Sequence, residues 1–460
     1  MCQRARWPDR CRRWLLRCTL GVGLAVGLPL GMSAWAGDDS RMEALLRELE
    51  LLKERVERLE ERVVHQEEVI SEQRRRIQAQ EREIEQQKRA LAEHGEAIKE
   101  ADALKGLVEK AVRNVSIAGG VTLVGQGTWG LDEDTLDGSL SADLEIAAPI
   151  GEHGEVFFHI EAGAGDGLGD EFEGLGSVFG VNADAGDNGA SLELTEAWYE
   201  HEFFDERLRV TFGKVDLTSY LDANEVANDE TTQFLAPAFV NNPMVEFPEN
   251  GLGVRVTGSP VEWFSITLGW QEADGDWEDI FDRSFGMGEV GFHPSFGELN
   301  GNYRFYGWVN GGDHTRWDDR LLGLEGDDHG WGVGLSFDQQ VASWLTIFAR
   351  AGYQDEDMYE FDWGWSVGGA LGGELWGRGD DHFGLAYGIA YLSGEYRRFS
   401  RLAGDPDIRC NEHHLETYYS ISIVPEHLYL TPDLQWVRYP GGDKTEDSAV
   451  IGGVRMQVMF

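Results

Sequence analysis

Five arginines, Arg209, Arg255, Arg304, Arg350 and Arg455, each stand in a stretch where apolar residues recur at every second position, and each falls on the polar side. Tyr306 and Trp308 share the parity of Arg304, and Asp433 and Gln435 hold the polar side of their own stretch. A guanidinium can donate to a hydroxyl, a carboxylate can accept from one, and an aromatic ring can cover the apolar face of a sugar ring. Such a set suits a polyhydroxylated solute. The same arginines could equally solvate an aqueous lumen and set its ion preference, and residue types alone leave both readings open. Covalent chemistry finds little support. His413-His414 has no third ligand at metal-site spacing, and the acids cannot be paired into an acid/base couple from sequence. Asp132-Glu133-Asp134 and residues 184–189 miss the EF-hand spacing. The reading is therefore a protein that is not an enzyme, with no cofactor and no assigned metal.

The alternation defines the elements that must position these residues. From Val115 to the C-terminus sixteen candidate strands can be marked, beginning near Val115, Leu140, Val156, Leu192, Leu208, Leu252, Trp263, Ser284, Gly301, Gly330, Trp344, Trp363, His382, Tyr418, Leu430 and Val450. In one, Phe264, Ile266, Leu268 and Trp270 alternate with Ser265, Thr267, Gly269 and Gln271. A large secreted β-domain would also alternate. A membrane barrel is favoured by tight connections (Gly151 to Gly154, Ser259-Pro260, Val424 to Glu426) taking turns with long polar ones, and by Trp and Tyr near strand ends. The chain also closes on a strand carrying Val454, Met456, Val458 and Phe460 on one face. The expected fold is an all-β transmembrane barrel of about 16 antiparallel strands, the one β architecture that satisfies every backbone group in lipid. Phe460 is read as the barrel-assembly signal, with the barrel assembly machinery as its partner.

The N-terminal quarter reads differently. Residues 1–36 carry six arginines, one acid and an apolar run ending at Ala34-Trp35-Ala36, the pattern of a cleaved signal peptide. Three of the four cysteines lie there, which leaves Cys410 and no disulfide framework. Residues 37–114 contain heptads with Met42, Leu49, Val56, Val63, Ile70, Ile77, Ile84, Leu91 and Ile98 at a, a seam unbroken over 57 residues. The d positions begin Leu45, Leu52, Leu59 and continue as Gln66, Gln73, Gln80 and Gln87. An α-helical coiled-coil stalk is expected, roughly 85 Å long, periplasmic and joining chains into a homo-oligomer, a trimer by preference. Residues 115–460 would form the barrel domain.

Long motifs in the barrel region resemble the carbohydrate-selective porins (OprB-like). They are Gly213 to Tyr220 continuing through Leu235, then Phe239-Val240-Asn241-Asn242-Pro243, Gly301-Asn302-Tyr303-Arg304, and Leu430 to Gln435 followed by Pro440-Gly441-Gly442. The resemblance implies a 16-stranded outer-membrane barrel for passive, sugar-preferring diffusion, with residues 217–250 folded inward to narrow the pore. The stalk departs from the shortest members of that family.

The chain has 39 Lys and Arg against 83 Asp and Glu, a net charge of −44. That balance excludes a nucleic-acid partner, which needs a basic face. The acids concentrate after residue 114, and no Lys or Arg occurs from Val115 to Glu206. Since a lipid-facing belt holds charges poorly, an acidic mouth and lumen are expected, in the outer membrane of a Gram-negative bacterium with lipid and sugar solutes as partners. Two alternatives are a general or ion-selective porin and a structural tether whose stalk contacts the cell wall.

Overall fold

The computed structural model describes residues 115–130, 135–183, 191–446 and 448–460, together with Glu50, Leu51, Glu54 and Arg55, which are helical. The chain divides into two units, Met1–Leu104 and Lys105–Phe460. The signal peptide, nearly all of the heptad seam and the two acidic loop tips named above lie outside the described residues.

The second unit is one antiparallel sheet closed on itself. Its strands are β1 (Ser116–Trp129), β2 (Leu136–Ile150), β3 (Gly154–Ala164), β4 (Ser191–Phe203), β5 (Leu208–Val215), β6 (Gly251–Val261), β7 (Phe264–Glu272), β8 (Ser284–Phe292), β9 (Ser295–Phe296), β10 (Leu299–His314), β11 (Asp328–Ala342), β12 (Leu345–Gln354), β13 (Phe361–Gly372), β14 (His382–Leu392), β15 (Glu412–Val424), β16 (Leu428–Arg438) and β17 (Ala449–Met459). β9 is a two-residue ladder at the start of β10, so sixteen of the seventeen strands build the wall. β1 pairs with both β2 and β17, which closes the barrel. The Phe460 carbonyl accepts from the Gly119 amide at 3.1 Å and its own amide donates back at 2.9 Å, extending that seam to the last residue.

Each expected strand is present. The largest shift in a start is β15, which begins at Glu412 rather than near Tyr418. Its lumen side reads Glu412, His414, Glu416, Tyr418, so the polar half of the alternation hid its beginning. Ser259-Pro260 lies inside β6, and the turn falls at Glu262-Trp263 instead. Proline is tolerated there because the pairing with β7 is already irregular between Gly258 and Val261.

Burial is inverted relative to a soluble protein. In β7 the apolar Ile266 and Leu268 are exposed while Thr267 and Gln271 are buried. Val309, Val333, Ile347, Val367, Leu385, Leu434 and Val454 are likewise exposed. A continuous apolar band of this kind would be insoluble in water and fits lipid. Aromatic residues mark both rims: Tyr353 between Trp331 and Trp363 at one end, and Phe264 with Phe292 and Trp376 with Tyr419 at the other. Short turns such as 151–153, 343–344 and 425–427 sit at the end shared with both ends of the barrel sheet, and long loops sit at the opposite end. Tyr396, on the helix Gly394–Ala403 of one such loop, hydrogen-bonds Glu360, while burial lifts the Glu360 carboxyl above its ordinary range.

Candidate functional site in the lumen

Two long connections turn into the barrel and form its core. The first is the described part of the β3–β4 connection, residues 165–183, and the second is the β5–β6 connection, residues 216–250. Both are rich in residues that a solvated loop would not bury: Leu168, Phe172, Phe179, Leu221, Phe234, Phe239 and Met244 are all at 1% exposure or less. They join to each other through Ala183 N to Leu235 O (2.8 Å) and Ala238 N to Phe179 O (3.1 Å).

The lumen side chains of the wall hold these segments by their backbones. Arg350 donates to the Phe239 carbonyl at 2.7 Å, the Asp222 carbonyl at 2.8 Å and the Asp222 carboxylate at 3.2 Å. Asp222 has a left-handed φ of 61°, and its carboxylate also accepts from the Tyr306 hydroxyl (2.7 Å) and the Asn242 amide (2.6 Å). Its own amide donates to Glu289 at 3.0 Å. Asp222 and Arg350 are 0% and 1% exposed, so neither charge has water to fall back on. Glu416 accepts the Leu235 and Ala236 amides at 2.5 and 3.0 Å. Glu412 accepts from Ser177 Oγ (2.7 Å) and the amides of Val178 (3.2 Å), Phe179 (3.1 Å) and Gly441 (2.9 Å). Each carboxylate satisfies loop amides that would otherwise be buried without partners.

Glycine in the wall makes room for these contacts. Gly332 and Gly334 stand in register with Trp308 and Tyr306, and a Cβ on either would lie 2.6 or 2.3 Å from the neighbouring ring. The rings can therefore lie flat on the sheet and reach the inserted segment, Trp308 Nε1 donating to the Met244 carbonyl at 3.0 Å.

The nine residues marked by sequence are thus distributed. Tyr306, Trp308 and Arg350 are buried against segment 216–250. Arg455 donates to the carbonyls of Glu230 and, at 2.8 Å, Gln233 in that segment. Gln435 donates to the Val181 carbonyl at 2.9 Å and to Asp433 at 3.0 Å. Arg304 pairs with Asp338 at 2.8 Å; Asn302, Asp338, Trp263, His293 and Glu225 line a cavity of about 610 Å³ at the turn end. Arg255 pairs with Glu200 and covers the Tyr220 ring at 3.9 Å. Arg209 sits near the turn end between Glu202 and Glu206, at 3.0 and 3.3 Å.

The wall β2–β4 is different. Asp143 pairs in register with Glu161, and Glu161 with Glu193, three acids side by side on the lumen face. The next rank is Glu145, His159 and Glu196, and the one beyond it is Ala147, Phe157 and Trp198. His159 lies 3.0 Å from Asp143 and 3.9 Å from Glu196. Phe157 and Trp198 stack at 4.8 Å with 23° between planes, and Trp198 Nε1 donates to Glu196 at 2.9 Å. Asp143 and His159 keep 27% and 20% exposure, and Glu145 and Glu193 are exposed. This rank of acid and aromatic side chains is the set that sequence reasoning did not assemble. Parity was readable along β2 and β3, but an extra residue at Thr195 reverses it within β4, and neither that reversal nor the register that brings Asp143, Glu161 and Glu193 together was readable.

A closed antiparallel barrel with an apolar outer band, polar lumen and inward-folded connections defines an outer-membrane porin. Residues 131–460 match the family model described as carbohydrate-selective porin, OprB family, and the chain belongs to that family. It is 24% identical to Porin B of Pseudomonas aeruginosa over 321 residues, 59% of this chain and 69% of that one. It is 36% identical to an uncharacterized protein of Aquifex aeolicus over 91 residues, 20% of this chain. The chain spans 29% of that relative's length, and 56% of Porin AaxA of Chlamydia abortus. The fold matches the high-pH structure of Pseudomonas putida OprB with a TM-score of 0.67 at 19% identity, covering 77% of this chain and 96% of that one.

Proposed function

We propose that the barrel carries carbohydrates across the outer membrane by passive diffusion, with the β2–β4 wall as the surface along which they move. The observation that carries this is the stacked Phe157 and Trp198 pair set directly beside ranks of acceptors in a part of the lumen that keeps solvent access. Rings cover the apolar face of a sugar, and carboxylates replace water at its hydroxyls. Weak contacts of this kind bias which solutes pass without trapping them. The test is planar-bilayer recording with the purified protein. Mono- and oligosaccharides should reduce the ionic current in a saturable way; conductance steps indifferent to every sugar would overturn the proposal.

A second reading, preference for cations, is favoured by the same wall, because the Asp143, Glu161, Glu193 rank contains no base. Reversal potentials in a salt gradient distinguish it, and both properties can coexist in one pore. The turn end is assigned to the periplasm, with residues 37–114 as a periplasmic coiled coil that assembles a homo-oligomer, a trimer by preference; the heptad seam supports the self-association and the barrel that follows it the trimer. Crosslinking with and without residues 41–105 tests it, and an unchanged oligomer size would sink it. Phe460, at the closing seam, is proposed as the residue the barrel assembly machinery reads.

A further inference from the structure

We propose a divalent-cation site of calcium class at the loop end of β7, formed by Glu272, Asp274 and Asp276. Carboxylate oxygens of the three residues lie within 4.8 Å of one another. Acids gather on exposed loops without ions, so the spacing alone carries nothing. What distinguishes this group is Glu272. It is 0% exposed, and neither carboxylate oxygen has a hydrogen-bond partner among the described residues. The groups that approach it are the Trp277 amide and the Asp276 carboxylate, and neither makes a bond of normal geometry. A buried carboxylate left without a donor, and with two further acids beside it, is costly. A cation at the shared centre removes both costs at once.

The loop closes over this point. Alternation along β7 puts Glu272 on the same outer side as Leu268 and Trp270. The chain then folds back, with Ala273 N donating to the Arg283 carbonyl at 3.0 Å and Phe281 against Trp270 at 5.3 Å. From Glu272 to Arg283 there are six acids and one base. The base, Arg283, touches Asp274 at 3.4 Å but holds Asp313 more closely at 2.5 Å, so it can release Asp274 to an ion. Asp276 accepts the Glu278 amide at 2.7 Å through Oδ1, which leaves its other oxygen free to ligate.

Ligand type and number choose the ion. All three ligands are hard oxygens. Three carboxylates with an adaptable shell suit Ca²⁺, whereas Mg²⁺ dehydrates reluctantly and is held by one or two carboxylates. The open, exposed side of Asp274 and Asp276 leaves room for the waters that complete a Ca²⁺ shell. An ion there would pin the β7–β8 loop to the end of its strand.

The experiment uses the full-length porin in detergent, stripped with EDTA and titrated with Ca²⁺ by calorimetry. The wild type should take up one equivalent more than Glu272→Gln and Asp276→Asn, with a dissociation constant between about 10 μM and 1 mM. Calcium should slow proteolytic cleavage within residues 274–282 at least fivefold in the wild type and leave both variants unchanged. Heat-modifiable gel migration confirms that each variant is a folded barrel; should Glu272→Gln fail to fold, the exposed Asp276→Asn carries the comparison. Equal stoichiometry and equal protection in wild type and a folded variant would overturn the site. Equal protection by Mg²⁺ would overturn the assignment of calcium class.

Discussion

The two sides of the lumen obey one alternation rule and meet opposite fates. From β8 round to β17, inward arginines, acids and aromatic rings are consumed in binding the backbones of segments 165–183 and 216–250. From β2 to β4, Asp143, Glu161 and Glu193 face one another in register and keep part of their access to water, while Glu196 beside them is buried and accepts the Asp216 amide at 3.3 Å. The first side behaves as the core of a soluble domain turned inside out, with Asp222, Arg350, Glu412 and Glu416 paired across a buried interface. The second carries like charges side by side, an arrangement that costs stability and that the proposed function assigns to meeting solutes. Inward orientation by itself therefore does not identify a pore-lining residue; what lies above it decides.

Substitutions can break the first side and spare the second. Arg350→Ala should have the largest effect, because it strands Asp222 as a buried unpaired charge, a loss of about 3–5 kcal/mol in docking segment 216–250. Single-channel conductance and the size limit in liposome swelling should both rise while gel migration stays that of a folded barrel; unchanged conductance would contradict the anchoring role. Gly334→Val comes next. Its Cβ would stand 2.3 Å from the Tyr306 ring, an overpacking cost of about 1–3 kcal/mol, visible as noisier open-channel current.

The second side is probed by smaller changes. Trp198→Ala removes the stacked partner of Phe157, worth about 0.5–1.5 kcal/mol, so the sugar concentration for half-block should rise about two- to tenfold with conductance nearly constant. A change in conductance with no change in sugar block would detach the aromatic pair from recognition. Glu161→Gln removes the middle charge of its rank and should gain about 0.2–1 kcal/mol of stability while the reversal potential moves toward lower cation preference. A separate effect lies outside the lumen, at the β13–β14 turn. Arg378, bonded to Asp381 at 2.5 and 3.0 Å, holds that carboxyl down at about 2, helped by the Tyr419 hydroxyl and the Ser422 amide. A depressed carboxyl contributes stability above its ordinary value of 3.8 and loses it as pH falls through about 2. Asp381→Asn should thus unfold earlier than wild type at neutral pH, with the difference vanishing near pH 2; a difference that persists in acid would assign the effect to packing.

Much of this is legible in the sequence. The strand set, a last strand running to Phe460 and the inward side of Arg255, Arg304 and Arg350 follow from a period of two that leaves each side chain only two faces. The start of β15 was obscured because Glu412, His414 and Glu416 read as loop chemistry until the roles of Glu412 and Glu416 as acceptors for inserted amides are seen. Residues 165–183 gave a weaker signal, Leu168, Phe172 and Phe179 among glycines and acids, which describes a loop equally well on the surface or in a lumen.

Sequence by itself determined the barrel, its lipid-facing band and the sign of its charge, since these depend on residue type and on a local period repeated along each strand. Tertiary structure alone decided which inward residues are anchors and which are open, because that depends on register between strands distant in the chain and on where two long segments come to rest. Asp143, Glu161 and Glu193 are separated by more than a strand's length in sequence, and only the hydrogen-bonded ladder makes them neighbours.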